Sequence, residues 1–203
     1  MLKELFEASF YSSFQMVKGK MLMLDERVET GAFSLVDAEA CRDCKHRCKD
    51  DDRVQLKLFS NNSLNIISIN QVFSFIKEPV GEICDYMIES LSCSALIEMT
   101  CITVDYVKDK RMKARRQLRN TVSLLFNNGI MRSHIESKTI RYAVFSWKDS
   151  MPINNDEEDG VGYNMTGMVL MADEIYSPYN ESEFDYGYVF REIRYPFTFE
   201  IDP

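Results

Sequence analysis

The chain has 203 residues, 45% hydrophobic and 12% aromatic, with 24 basic and 32 acidic side chains and a formal net charge of −8. It is too apolar to be disordered and too poor in glycine and proline to be fibrous, and no run approaches the roughly 18 apolar residues of a membrane span. The opening Met-Leu-Lys-Glu-Leu-Phe-Glu lacks the basic-then-apolar order of a secretory signal, so a soluble cytoplasmic protein with reduced thiols is expected, and the acidity alone argues against nucleic acid as a partner.

Apolar residues at spacings of three and four (Leu2, Leu5, Phe6, Phe10, Phe14, Val17) predict an amphipathic helix over the first 20 residues, ended by Gly19. A strand at 21–24 and a turn near 29–31 are expected next, then a polar loop over 41–53. That loop holds Cys41-Arg-Asp-Cys44-Lys-His46-Arg-Cys48, whose C-x2-C pair is the spacing that commonly supplies two ligands of a tetrahedral zinc site. Cys41, Cys44, His46 and Cys48 are therefore the candidate Zn2+ ligands, and the neighbouring Arg42, Lys45, Arg47 and Lys49 favour their thiolates. No second cysteine pair follows at the usual distance, so the alternative is a solvated loop with incidental thiols.

Residues 54–60 and 64–69 alternate in polarity around an Asn-Asn-Ser cluster and predict a hairpin. Within it, Gln55-Leu56-Lys57 after Asp37 or Asp52 carries a faint D…(E/Q)-x-K pattern of metal-dependent nucleases, in which lysine orients the attacking water. Pro79 then marks the start of a helix over about 80–91, with Val80, Ile83, Cys84, Met87, Ile88 and Leu91 on one stripe. An apolar stretch over 95–102 follows, Thr103 can cap a short helix after it, with Lys110-Arg111 as a turn or its continuation, and Cys84, Cys93 and Cys101 read as small core residues.

The window 103–119 holds seven Lys or Arg and two Asp, a net of +5. A helix over about 112–127 puts Ala114, Leu118, Val122 and Leu125 on one face and the cations mostly on the others, with Asn127-Asn128-Gly129 as its left-handed stop. Short β-prone stretches at 130–133 and 139–147 flank a polar tip at 134–138.

Residues 149–203 carry 13 acidic groups against Arg191 and Arg194, a net of −11, whereas residues 1–148 carry 22 basic and 19 acidic groups, a net of +3. The acidity is therefore segmental and no longer excludes DNA. A linker is expected at 149–160, with Asp156-Glu157-Glu158-Asp159-Gly160 as a solvated acidic loop. Beyond it, alternation around Tyr186, Tyr188, Phe190 and Tyr195 predicts β structure, and Pro196 marks a strand edge or end.

The order of helix, short helix, basic helix, Asn-Asn-Gly and hairpin over about 80–148 resembles a winged helix-turn-helix module. Gln117-Leu118-Arg119 with Leu124-Leu125, then Asn128-Gly129-Ile130-Met131, is similar to that superfamily's recognition-helix ending, and Ile140-Arg141-Tyr142-Ala143-Val144 to a wing's return strand. The fold expected is α+β: an N-terminal helix and hairpin region over 1–78, a central winged-helix-like module over 79–148, and an acidic, aromatic β-rich extension over 149–203. The resemblance implies a non-enzymatic DNA-binding protein, a transcriptional or replication/mobile-element factor. Its contacts would be Lys108, Lys110, Arg111, Lys113, Arg115, Arg116 and Arg119 on the helix, with Arg132, His134 and Lys138 at the wing. Winged helices also serve as protein-interaction subunits in chromosome-organising or defence assemblies, with the aromatic extension binding a protein partner or a second copy. A third reading is that the positive helix face docks on the chain's own acidic segment. With only His46 and His134 and no glycine-rich phosphate loop, enzymatic readings have few candidates.

Overall fold

The computed structural model describes residues 2–20, 22–36, 54–102, 106–149 and 180–201. Its architecture is mixed α+β, an eight-stranded sheet with four α-helices. The strands are β1 (Glu26–Val36), β2 (Val54–Ser68), β3 (Tyr86–Glu89), β4 (Cys93–Ile102), β5 (Ile140–Asp149), β6 (Asn180–Glu183), β7 (Val189–Arg194) and β8 (Thr198–Glu200). The helices are α1 (Leu2–Ala8), α2 (Ile69–Phe73), α3 (Val107–Phe126) and α4 (Gly129–Glu136).

Along the sheet the order is β1-β2-β3-β4-β5-β7-β6, with β8 pairing in parallel to β2. The first four strands form an antiparallel meander. The chain then crosses over through α3 and α4, so that β5 runs parallel to β4, and β7 pairs in parallel with β5 on its other side. A parallel pair needs such a crossover, whereas antiparallel neighbours need only a turn. The boundaries expected near residues 78 and 148 fall inside this one sheet, because all three segments contribute strands to it.

Both faces of the sheet are covered. On one, Met87, Leu96, Ala143, Phe145, Trp147 and Phe190 meet Ala114, Leu118, Val122 and Leu125 of α3, Met131 and Ile135 of α4, and Leu2, Phe6 and Phe10 from the N-terminus. On the other, Ala95, Ile97, Met99, Tyr142, Val144 and Ile193 meet Leu56 and Leu58 of β2 and Phe199 of β8. The long β2 therefore serves twice. Its end pairs with β3, while its beginning lies over the second face, where the Ser146 hydroxyl donates to the Gln55 carbonyl at 2.7 Å. Each large apolar side chain fully buried this way stabilises the fold by about 1.5–3 kcal/mol before entropic costs.

Several local expectations change. Residues 80–91 form no helix: the segment leads into β3, where Met87 and Ile88 are buried in opposite cores. A strand buried on both faces has a continuous apolar run, which a helical stripe can mimic. Residues 130–133 lie in α4 and not in a strand, because the Asn128 side chain caps that helix, accepting from the Ile130 and Met131 amides at 3.1 and 2.9 Å. Asn128 is thus an N-cap and not part of a left-handed stop. The strand expected over 139–147 is real, but as β5 it pairs with β4 and β7 inside the sheet. The helix–helix–hairpin order of a winged helix is therefore not confirmed here; residues 86–149 run strand, strand, helix, helix, strand.

At the N-terminus the helix stops at Ala8 and a single 3-10 turn spans Phe10–Ser13, where the Ser12 hydroxyl donates back to the Ser9 carbonyl. The 54–60 and 64–69 stretches are one strand, β2, and the strand expected at 21–24 is instead β1, starting at Glu26.

Candidate nucleic-acid interface

α3 is positioned by its apolar face, with Ala114, Leu118, Thr121, Val122 and Leu125 recurring at helical spacing and buried against the sheet. The cations flank this stripe in two rows. Arg111, Arg115 and Arg119, four residues apart, face the C-terminal segment, whereas Lys113 and Arg116 face the segment before β3.

The first row is fully engaged. Arg111 makes a two-bond pair with Glu192 of β7, Nε to Oε2 at 2.5 Å and Nη2 to Oε1 at 2.8 Å, and Glu192 Oε1 also accepts from the Trp147 indole at 3.1 Å. That carboxylate, 8% exposed, holds Arg111 more firmly protonated than usual. Arg115 lies 4.2 Å from the Phe190 ring centroid and donates to the Ser182 hydroxyl at 3.2 Å. Burial, followed by repulsion from Arg119, lowers its pKa. Arg119 pairs with Asp185 at 3.1 Å and stands over the Phe184 ring.

In the second row, Arg116 donates to Glu82 from Nε at 3.1 Å and Nη2 at 2.6 Å, and Lys113 lies 3.6 Å from the same carboxylate. The Arg116 bonds are the main reason Glu82 titrates below its ordinary range. Asn120 continues the row, donating to the Val80 and Glu82 carbonyls. The chain's own acidic groups therefore neutralise most of the helix, four of those five cations in ion pairs with Glu82, Asp185 and Glu192. Lys108 and Lys110, in the first turns, make no ion pair among the described residues.

The cations expected at a wing lie elsewhere. Arg132 pairs with Glu136 within α4 at 2.9 Å. His134 Nε2 lies 2.7 Å from Glu89, and Lys138, with a side chain only 9% exposed, donates to the Ser90 carbonyl at 2.7 Å. Arg132 and Lys138 thus both have partners within the chain. Cys41, Cys44, His46 and Cys48 lie outside the described residues, as do Asp37 and Asp52 of the nuclease pattern. Among the described residues, no three His, Cys, Asp or Glu side chains are grouped to hold a metal ion. Gln55 is fully buried, and Lys57 turns to an aromatic ring.

That ring belongs to a second cationic group not read from the sequence. Lys57 of β2 and Lys148 of β5 both stand over the Tyr195 ring, at 5.2 and 4.7 Å from its centroid, and Arg194 of β7 stands 4.9 Å over Trp147. In the ladders Cys101 is opposite Lys148, and Trp147 opposite Arg194, so these side chains mark the carboxyl ends of the parallel strands β4, β5 and β7. α3 follows β4 in the chain, with Lys108 and Lys110 in its first turn. Lys57, Lys148 and Arg194 are scattered singly along the sequence, so no local charge density announces them.

This geometry defines a mixed α+β protein with a cationic, aromatic rim. No protein family, curated protein or solved structure matches the chain. No described helix is long and apolar enough to cross a membrane.

Proposed function

We propose that the chain is a non-enzymatic DNA-binding protein whose contact surface is the carboxyl rim of the parallel strands, not the length of α3. The observation that carries this reading is the convergence of Lys57 and Lys148, from β2 and β5, on the one Tyr195 ring. A cation over an aromatic face keeps its charge while the ring holds it in place. Phosphates are attracted to such charges, and cations interleaved with rings are the chemistry that suits single-stranded nucleic acid. For α3 to act as a recognition helix, by contrast, Arg111, Arg116 and Arg119 would have to leave Glu192, Glu82 and Asp185.

A mobility-shift titration with a single-stranded oligonucleotide at low salt tests this. The Lys57→Glu, Lys148→Glu double variant is expected to bind at least tenfold more weakly, and unchanged binding contradicts the rim as the contact surface. A second reading, a protein-interaction subunit, is favoured by β1, an 11-residue strand that is at the edge of the sheet among the described residues, where a partner's strand could add.

A further inference from the structure

At the opposite end of the parallel strands lies a buried polar cluster with no part in the rim. Glu89 closes β3, Ser94 faces it across the β3–β4 ladder, and Tyr188 directly precedes β7. Their relative exposures are 3, 0 and 2%, and Glu89 Oε1, Ser94 Oγ and the Tyr188 phenol oxygen have no hydrogen-bond partner among the described residues. Such atoms are costly, because a buried polar group left unpaired loses its hydration with nothing in exchange. They also converge. Ladder partners project from the same face of the sheet about 5 Å apart. Burial raises the pKa of the Tyr188 phenol, the nearby Ser94 hydroxyl acts in the opposite direction, and the charge of Glu89 adds to the rise.

We propose that these three atoms form an internal solvent site that holds one ordered water. The water donates to Glu89 Oε1, and its two lone pairs accept the hydroxyl protons of Ser94 and Tyr188. That makes three bonds, the usual number for a buried water. The ligand is a neutral molecule and not a cation, because positive charge is already at hand. Lys138 Nζ lies 3.8 Å from Glu89 Oε2, and His134 occupies that same oxygen at 2.7 Å. Through Glu89 the water joins β3, β4 and the start of β7 to His134 of α4, so that helix is tied to the sheet by a polar route as well as by Met131 and Ile135.

A crystal structure of the unmodified chain tests the site directly. The result expected is density for one solvent oxygen within hydrogen-bonding distance of all three atoms, and its loss in Ser94→Val, whose methyl groups occupy the space. A direct Ser94–Tyr188 hydrogen bond with no solvent oxygen beside Glu89 Oε1 overturns the proposal. In solution, a long-lived water should give a cross-relaxation signal to the Tyr188 ring in the unmodified protein, and absence of that signal counts equally against it.

Discussion

Arg111 of α3 and Glu192 of β7 are joined by two hydrogen bonds, at 2.5 and 2.8 Å, and the same carboxylate receives the Trp147 indole N–H. The pair links the basic helix to a strand of the acidic C-terminal segment, 81 residues away. Replacing Arg111 by Met leaves a nearly buried carboxylate with one bond. The expected loss of stability is about 2 kcal/mol, below the cost of breaking a fully buried pair, because the Arg111 end is 37% exposed and screened. Urea denaturation measures it. Glu192→Gln, which keeps an acceptor for both partners, should lose less.

Glu82 gives a pH signature. Its carboxyl titrates below the ordinary value of 4.5, chiefly through the Arg116 hydrogen bonds. A depressed folded-state value means that the stabilisation is present above 4.5 and fades as pH falls through the lowered value. The melting temperature of the unmodified chain should therefore fall more steeply on acidification below 4.5 than that of Glu82→Gln. Because the pair is exposed, added salt should shrink the difference. Parallel acid limbs for the two proteins would contradict this role.

Asn128 is placed to test the helix boundary. It caps α4 through two backbone amides and donates to the Ser13 hydroxyl at 2.8 Å. Asn128→Ala should cost about 1–2 kcal/mol in chemical denaturation. Asn128→Asp, which keeps the acceptor, should recover part of that loss, and an alanine variant of unchanged stability would show that the cap is not formed.

How far the sequence reveals this fold depends on what sets each element. The apolar stripe of Ala114, Leu118, Val122 and Leu125 is local, so α3 is legible from about residue 112 to its end, although it begins earlier, at Val107, and the alternation around Tyr188 and Phe190 correctly announces β7. The 80–91 stretch is not legible, because Met87 and Ile88 are apolar for opposite reasons, one facing the helices and the other the second core. Asn128-Gly129 suits the end of one helix as well as the beginning of the next, and only the capping bonds decide. The cations of 103–119 are conspicuous, but their counter-ions are 31 to 81 residues away, beyond any local pattern. Docking of the helix on the chain's own acids, one of the readings open from the sequence, is the arrangement found for Arg111 and Arg119.

The central claim is that the rim, not the length of α3, meets DNA. It is tested most directly by the fluorescence anisotropy of a labelled single-stranded oligonucleotide titrated at several salt concentrations. If Lys57, Lys108, Lys110 and Lys148 each neutralise a phosphate, the logarithm of affinity should fall with the logarithm of salt with a slope of about −3. Lys57→Glu with Lys148→Glu should reduce that slope to about −1.5 and weaken low-salt binding at least tenfold. Arg116→Gln should leave both unchanged, since Arg116 is committed to Glu82. Equal slopes for the unmodified chain and the Lys57/Lys148 variant, or no salt-dependent binding at all, would contradict the account.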